Sequence, residues 1–468
     1  MRIRFFAVLV GVLLINETVS AGMDAPKFKN MRFNENWSNY HAVQSDGLKG
    51  FYQSLKHLNL SDNGKIWISF GGQSRLRYEY FDGFGFGASA NNSDHYLYSR
   101  FRLHTDLHID DWARVYVEGI SSHSSNRDLP GGQRAIDIQD VDLLNAFIEF
   151  KAKLDCCLGL RLRVGRQELG FGRQRLISPL NWLNTRNSWD GVRAIVNWND
   201  WEVSGFWTRP IKKQKYEVDA ADNDRELFGI YSKGKVNFLP GKIETYFLGT
   251  PRKSRTYNGT TGNENRYTIG GRQWANIGTS DVYYEVEGAY QFGRIGNDSI
   301  DAFTTTAVLG IKPAEWPMDL DMWLGFDYGS GDENAGGNVN TFDPLFATGF
   351  GHYGHALTLN RFNTIDARLG MKFNPGLGLK AKVEWHNFWR AQKNDAVYNI
   401  PGGVIVPGNA SDDRYIGSEI DLVVKKPVGR HHMLMVGYSH IFAGSLINSG
   451  IPSAEDIDYA YALWQFTF

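Results

Sequence analysis

From Lys65 to the C-terminal Phe468 the chain repeats one unit: a segment in which every second side chain is apolar, followed by a polar break. A period of two belongs to a β-strand, whose successive side chains point to opposite faces. In 96–109, Leu97, Phe101, Leu103, Leu107 and Ile109 share one face, and Arg100, Arg102, His104, Asp106 and His108 share the other. In 378–388, Leu379, Ala381, Val383 and Trp385 alternate with Lys380, Lys382, Glu384 and His386. In 362–373, Ile365, Ala367, Leu369 and Met371 oppose Asp366, Arg368 and Lys372. In 416–424, Ile416, Ser418, Ile420 and Leu422 oppose Glu419 and Asp421. The same reading applies to 65–81, 112–121, 141–152, 159–168, 189–198, 201–210, 225–238, 242–251, 265–276, 281–293, 299–312, 318–330, 431–442 and 456–468. That makes about eighteen predicted strands.

The breaks between them alternate in length. One set is short: Asp110-Asp111, Asp155-Cys156-Cys157, Asn199-Asp200, Pro240-Gly241, Asn374-Pro375-Gly376 and Pro427-Val428-Gly429. These are residues that hairpin turns favour. The other set is mostly long: 82–94, 122–140, 169–188, 211–224, 252–264, 331–361, 391–413 and 443–455, with Gly296-Asn297-Asp298 as the short exception. A soluble sandwich has no reason to keep this parity over so many strands. An outer-membrane barrel does, with short turns on the periplasmic rim and long loops outside. The expected fold class is all-β: a transmembrane antiparallel β-barrel of about 18 strands. Trp112, Trp198, Trp201 and Trp316 by the short turns, and Tyr78, Tyr80 and Phe81 near a strand end, suit the aromatic belts of the two interfaces. The parity also sends the last strand down to the periplasmic rim, to pair with the first near Lys65–Phe81. Its ending on Phe468 resembles the terminal assembly signal of Gram-negative outer-membrane proteins.

Composition agrees. Mean hydropathy is negative, and past the N-terminus no apolar run approaches the roughly 20 residues of a spanning helix. Aromatics make up 14% of the chain, and 51 Gly against 14 Pro suit long strands joined by tight turns. A net charge of −1 argues against a nucleic-acid partner, which calls for a basic footprint. At the N-terminus, Arg2 and Arg4, the apolar run 5–15 and Val19-Ser20-Ala21 read as a signal peptide over 1–21. The mature chain is expected to start near Gly22 and to reside in the cell outer membrane. Residues 22–62 form an irregular periplasmic lead-in, expected to pack into or under the barrel, and 63–468 the barrel itself. Cys156 and Cys157 are adjacent, a spacing that rarely bridges and is too sparse for a zinc site. They are expected to be structural residues at a turn.

Several stretches in order resemble a known family. They are Asn36-Trp37-Ser38 and Phe70-Gly71-Gly72-Gln73-Ser74-Arg75-Leu76-Arg77-Tyr78-Glu79; then Val164-Gly165-Arg166-Gln167-Glu168-Leu169, Gly172-Arg173-Gln174-Arg175-Leu176-Ile177 and Trp189-Asp190-Gly191-Val192-Arg193. Later come Tyr328-Gly329-Ser330-Gly331-Asp332, Thr341-Phe342-Asp343-Pro344-Leu345-Phe346 and His352-Tyr353-Gly354. Over nearly the whole mature chain the sequence is similar to the alginate-export family of outer-membrane porins. The resemblance implies an eighteen-stranded barrel with a polar, electropositive lumen for an anionic polysaccharide.

Parity alone assigns the functional surface. It turns Arg75, Arg77, Arg100, Arg102, Arg161, Arg163, Arg193, Arg266, Arg272, Arg368, Lys372, Lys380 and Lys382 into the lumen, with acids that include Glu79, Asp106, Glu149, Glu285, Glu287, Asp366, Glu384, Glu419 and Asp421. This face leans basic although the whole chain is neutral. A cleft lined by one sign of charge concentrates ions of the other, and rings of Arg and Lys suit anion pores. The guanidinium fork pairs a carboxylate with two hydrogen bonds. The substrate-binding candidates are therefore Arg75, Arg77, Arg100, Arg102, Arg161, Arg163, Arg193, Arg272, Arg368, Lys380 and Lys382. The alternative role for each is a structural pair with an acid on a neighbouring strand. Arg166 falls on the apolar parity unless Gly165 begins a bulge. The longest loop, 331–361, carries Phe342, Phe346, Phe350 and Tyr353, and is either a pore gate or a surface loop held by its own aromatics; Phe342, Phe346 and Tyr353 are its gating candidates. Asp332, Glu333 and Asp343 lack the ligand spacing of a calcium loop, and His431-His432 reads as an exposed strand start. No metal or cofactor is expected. No G-x-S-x-G, HExxH or P-loop occurs, so no catalytic residue is named. The expected function is a channel for diffusion or export of an anionic, alginate-like polysaccharide or a sugar acid. Its partners are outer-membrane lipid, the substrate and a periplasmic export machinery. The alternatives are a less selective anion or nutrient porin and an outer-membrane enzyme with a site assembled from scattered residues.

Overall fold

The computed structural model describes residues 26–40 and 52–468. The expected signal peptide, 1–21, and the lead-in residues 22–25 and 41–51 lie outside the described residues. Eighteen strands form the barrel: β1 Ile66–Asp82, β2 Asp94–Ile109, β3 Ala113–Ser124, β4 Gln139–Lys153, β5 Leu158–Gln167, β6 Trp189–Trp198, β7 Trp201–Lys212, β8 Leu227–Gly234, β9 Lys242–Tyr257, β10 Thr260–Asn276, β11 Val282–Ile295, β12 Asp298–Ile311, β13 Asp321–Gly329, β14 Thr364–Gly376, β15 Leu379–Arg390, β16 Tyr415–Val428, β17 His432–Ala443 and β18 Ile457–Thr467. Each pairs antiparallel with the next. β18 returns to β1, with Gln73 opposite Thr467 and Asp82 opposite Asp458. Closure gives every strand two neighbours, which is how a sheet crosses a membrane without leaving backbone groups unpaired in lipid.

The barrel is inside-out relative to a soluble protein. On β2, Leu97, Phe101 and Leu103 are 44%, 47% and 48% exposed, while Arg100 and Arg102 between them are each 1% exposed. The outer apolar surface recurs at Ile148 and Phe150, Phe247, Ile269, Phe303, Leu324, Leu369, Trp385 and Phe442. It is the surface that lipid covers. Trp112 and Trp198 stand exposed beside their turns, as an interfacial belt requires.

Three expectations change. Residues 252–264 are not a loop, because β9 and β10 run through them and reverse at Asn258-Gly259, with φ of 37° and 91°. Asn-Gly is the favoured two-residue hairpin turn, and the hydroxyls of Thr256 and Thr261 pair across it at 2.8 Å. Phe81 points into the lumen, stacked on Tyr459 at 4.3 Å, because it shares the parity of Arg75, Arg77 and Glu79. Ile416 also turns inward. Phe388 faces Gly417 and Trp389 faces Tyr415, so Ile416 is the extra residue of a bulge, next to Gly417 at φ 152°.

The lead-in packs into the turn-side end of the barrel. Arg32 pairs with Glu35 at 2.5 Å and donates to the carbonyls of Gly72 at 2.9 Å and Phe468 at 2.8 Å. Phe33 lies edge-on to Tyr116 and Phe147, with the Arg163 guanidinium 4.5 Å above its ring. The C-terminal residue is thus held by β1, through the Gly72 backbone, and by the lead-in together.

Candidate functional site

The lumen is built around two segments that enter it from the loop rim. The first, 168–188 between β5 and β6, crosses from one wall to the other. At one end its carbonyls are gripped by arginines of β1 and β2. Arg75 donates to Asn181 O at 2.7 Å and Leu183 O at 2.8 Å, Arg100 donates to Asn181 O at 3.0 Å and Leu183 O at 3.2 Å, and Arg77 donates to Trp182 O. Asn184 donates to Ser99 O and His123 O, fixing the same stretch to β2 and β3. At the other end Arg175 pairs with Glu285 and Glu287 on β11, at 2.6 and 2.7 Å. The loop meets the lead-in where Arg186, paired with Glu168 at 2.5 Å, also donates to the Asn30 side chain at 2.8 Å.

The second segment, 330–363 between β13 and β14, is zipped to the first. Phe346 N–H donates to Leu176 O at 2.9 Å, Ser178 N–H to Phe346 O at 3.1 Å and Thr348 N–H to Gln174 O at 3.2 Å. Trp182 stacks on Phe350 at 3.8 Å and 7°. Asp343 anchors the segment to β9 through Arg252 and Tyr257. Burial alone would raise the Asp343 carboxyl, but Arg252, Arg255 and Arg266 around it hold it below the usual carboxylate range. Asp332, near the start of the segment, has no ion pair among the described residues. Burial, with Asp395 nearby, pushes its carboxyl up to about 6. Farther on, Glu419 of β16 accepts the backbone N–H groups of His355 at 2.7 Å and Ala356 at 2.8 Å. A Cβ at Gly354 would collide with that carboxylate, so only glycine lets the loop come so close.

The gating candidates Phe342, Phe346 and Tyr353 are therefore buried within the lumen rather than in a surface loop. Phe346 sits edge-on to Trp189 with Arg225 4.0 Å above it, and Tyr353 stacks on Phe388 with Arg361 5.0 Å above. Among the substrate-binding candidates, Arg75, Arg77, Arg100 and Arg102 form one cluster around 181–186. Arg102 is the member with a close acid on a neighbouring strand, Glu118 at 2.8 Å. Arg163, Arg272 and Arg368 sit in ion pairs with Glu149, with Glu244 and Glu285, and with Asp327 and Asp366. Arg193 donates to Ser204 Oγ at 2.9 Å beneath Phe171. Toward the turn rim, Arg161 reaches Glu202 at 3.3 Å, Lys382 touches Glu384, and Lys380 lies exposed opposite Lys425. Arg166 is in register without a bulge and closes ion pairs with Asp190 at 2.8 Å and Asp142 at 3.4 Å. Cys156 and Cys157 are free and exposed on a turn.

Strand parity could not reveal that 168–188 turns inward, because a loop has no periodicity. The signal it does carry is composition. Arg173, Arg175 and Arg186 with Trp182 make it richer in cation and aromatic than a solvated loop needs.

A family model described as alginate export matches residues 66–459. Among solved structures, the chain is similar to OccK3 (OpdO) of Pseudomonas aeruginosa at 13% identity and TM-score 0.54, covering 85% of this chain and 95% of that one. It is similar to OccK2 (OpdF) of the same organism, solved in complex with glucuronate, at 12% identity and TM-score 0.54, covering 88% and 98%. It is similar to Pseudomonas aeruginosa OccD3 (OpdP) at 12% identity and TM-score 0.56, covering 89% and 93%. At such identities the likeness is one of fold. No curated protein matches the chain.

Proposed function

The chain belongs to the alginate-export family of outer-membrane channels, and on that footing we propose that it passes an anionic polysaccharide or sugar acid through its arginine-rich lumen. The observation that carries the reading is how the lumen cations are satisfied. Arg75 and Arg100 donate to neutral carbonyls and, for Arg100, to the amide oxygens of Gln73 and Asn181. Neutral acceptors meet the hydrogen-bonding need of a guanidinium but leave its charge, so positive potential persists where the inward loop crosses the lumen. At the turn rim, Lys380 and Lys425 face each other across β15 and β16 with no ion pair among the described residues. An anion entering from that side meets these lysines first and the arginine cluster next. The protein acts as a transporter, with no catalytic step. Residues 1–21 are its cleaved signal, 22–62 its periplasmic lead-in and 63–468 its barrel.

One feature favours the smaller substrates. Two loops joined by backbone hydrogen bonds cross the lumen, and a chain of uronates needs them to part, whereas a single sugar acid does not. The glucuronate bound by the structural neighbour OccK2 is a molecule of that smaller class. Planar-bilayer recordings separate the cases. Anion current blocked by alginate supports the polysaccharide, block by monomeric uronates alone supports the sugar acid, and the absence of conductance contradicts both.

A further inference from the structure

Four buried side-chain atoms from three elements converge beneath the second inward loop. They are Nε2 of His355 on the loop, Oε2 of Glu384 and Nε2 of His386 on β15, and Oδ2 of Asp421 on β16. Glu384 Oε2 is 4.0 Å from each imidazole nitrogen, and His386 Nε2 is 3.8 Å from Asp421 Oδ2. One ligating atom each from His355, Glu384 and Asp421 falls within 4.8 Å of the others. Three of the four atoms, His355 Nε2, His386 Nε2 and Asp421 Oδ2, have no hydrogen-bond partner among the described residues; Glu384 Oε2 is met by the Lys382 ammonium, and all four residues are buried, His386 completely. Buried polar atoms are ordinarily paired, so three orphans around one carboxylate oxygen require a cause.

Their outer contacts sharpen it. His386 Nδ1 lies 3.0 Å from Asp366 Oδ1, and the tautomer that donates there leaves Nε2 free to ligate an ion. A carboxylate behind a histidine is the usual way a metal-binding imidazole is oriented. The other oxygen of Asp421 accepts the Ser439 hydroxyl at 2.5 Å. His355 is fixed by its own N–H on Glu419. The Lys382 ammonium already touches Glu384 Oε2, so an ion at this point has to displace it.

From this geometry we infer that His355, Glu384, His386 and Asp421 bind one divalent transition-metal ion of the zinc class, which latches the loop 330–363 to β15 and β16. Two imidazoles and two carboxylates are a donor set suited to zinc and its neighbours rather than to calcium or magnesium. Zinc bonds of ~2.0–2.2 Å set tetrahedral ligand atoms roughly 3.3–3.6 Å apart, so the pairs at 3.8–4.0 Å close by a few tenths of an ångström and the wider pairs among His355, Glu384 and Asp421 by up to about 1.5 Å around the ion. Binding would release Lys382 into the lumen. The site itself does not depend on the proposed channel function; only its consequence for gating does.

The test is metal counting on the purified full-length protein, stripped with EDTA and dialysed against zinc. One zinc per chain is expected, with affinity at least about 10-fold weaker in His355→Ala and in Asp421→Asn, and unchanged in His95→Ala. Heat-modifiable migration on gels verifies that each variant retains its barrel. X-ray absorption on the zinc-loaded parent protein, which needs no variant, should show nitrogen and oxygen neighbours at zinc-bond distances. No bound zinc leaves Lys382 as the resident cation and overturns the site, as does affinity unchanged in both variants. A sulfur shell would assign the metal to Cys156 and Cys157 and overturn it equally. The count decides the site whether or not the protein conducts. In a conducting protein, current noise unaltered by zinc or EDTA overturns the latch.

Discussion

Replacing Trp182 by Ala removes the side chain that joins the two inward loops while keeping the carbonyl that Arg77 uses. The indole stacks on Phe350 at 3.8 Å, meets Tyr461 edge-on at 4.7 Å and lies 4.2 Å beneath the Arg77 guanidinium. It is 8% exposed. Truncating a buried Trp costs about 3–5 kcal/mol. Within that total the aromatic stack contributes ~1 kcal/mol and the desolvated cation–π contact ~2 kcal/mol. A loss of about 3 kcal/mol changes the ratio of seated to released loop roughly 150-fold, at 1.4 kcal/mol per tenfold. The strand ladder is untouched, so the melting temperature of the barrel should hardly move. Single-channel recordings should show larger conductance levels and more frequent flicker than the parent. Phe350→Ala should act in the same direction, and the double variant should fall short of the sum because both delete one contact. A Trp182→Ala channel with the parent's conductance histogram and noise would refute the claim that this stack holds the constriction.

Three further outcomes follow from the same structure. Reversing charge in Lys380→Glu/Lys425→Glu should lower anion selectivity, read as a shift of reversal potential in a salt gradient, without weakening the barrel, since neither lysine holds an ion pair among the described residues. Asp332 titrates near 6 with the loop seated and near the ordinary value of about 4 with it released. Seating is therefore strongest below about pH 4, weakens as pH rises to about 6 and is level above; open probability should rise over that interval, and Asp332→Asn should flatten it. In Arg32→Ala, the buried Glu35 loses its ion-pair partner at a cost of about 3–5 kcal/mol and keeps only the Trp37 indole and Lys29 N–H donors, so limited proteolysis should cut the lead-in 26–40 while the barrel survives, and unchanged protection would disprove its role as the anchor.

The barrel was legible because lipid imposes a two-residue period that each strand must carry, and because short turns and long loops alternate by rim. Leu97, Phe101 and Leu103 against Arg100 and Arg102 could be placed from spacing alone. Where the period broke, the reading failed for identifiable reasons. Ile416 is displaced by a one-residue bulge, and Asn258-Gly259 turns inside a polar run that continues as strand. Phe81 has the aromatic character of an interfacial belt, but its parity puts it inside. The candidate arginines were recovered as lumen residues, but their acceptors were not, since Arg75, Arg77 and Arg100 bind carbonyls of a loop more than eighty residues away in sequence. Contacts of that kind have no periodicity to announce them. The convergence of His355 with Glu384, His386 and Asp421 was hidden for the same reason, although parity had already turned the three strand residues inward.

The most direct measurement of the central claim is the reversal potential of the reconstituted protein under a potassium chloride gradient, repeated with alginate and with monomeric uronate on the turn-rim side. A lumen in which Arg75 and Arg100 are met by neutral carbonyls predicts preference for chloride over potassium and block of that current by a uronate. A preference for potassium, or an anion current indifferent to both uronates, would contradict it.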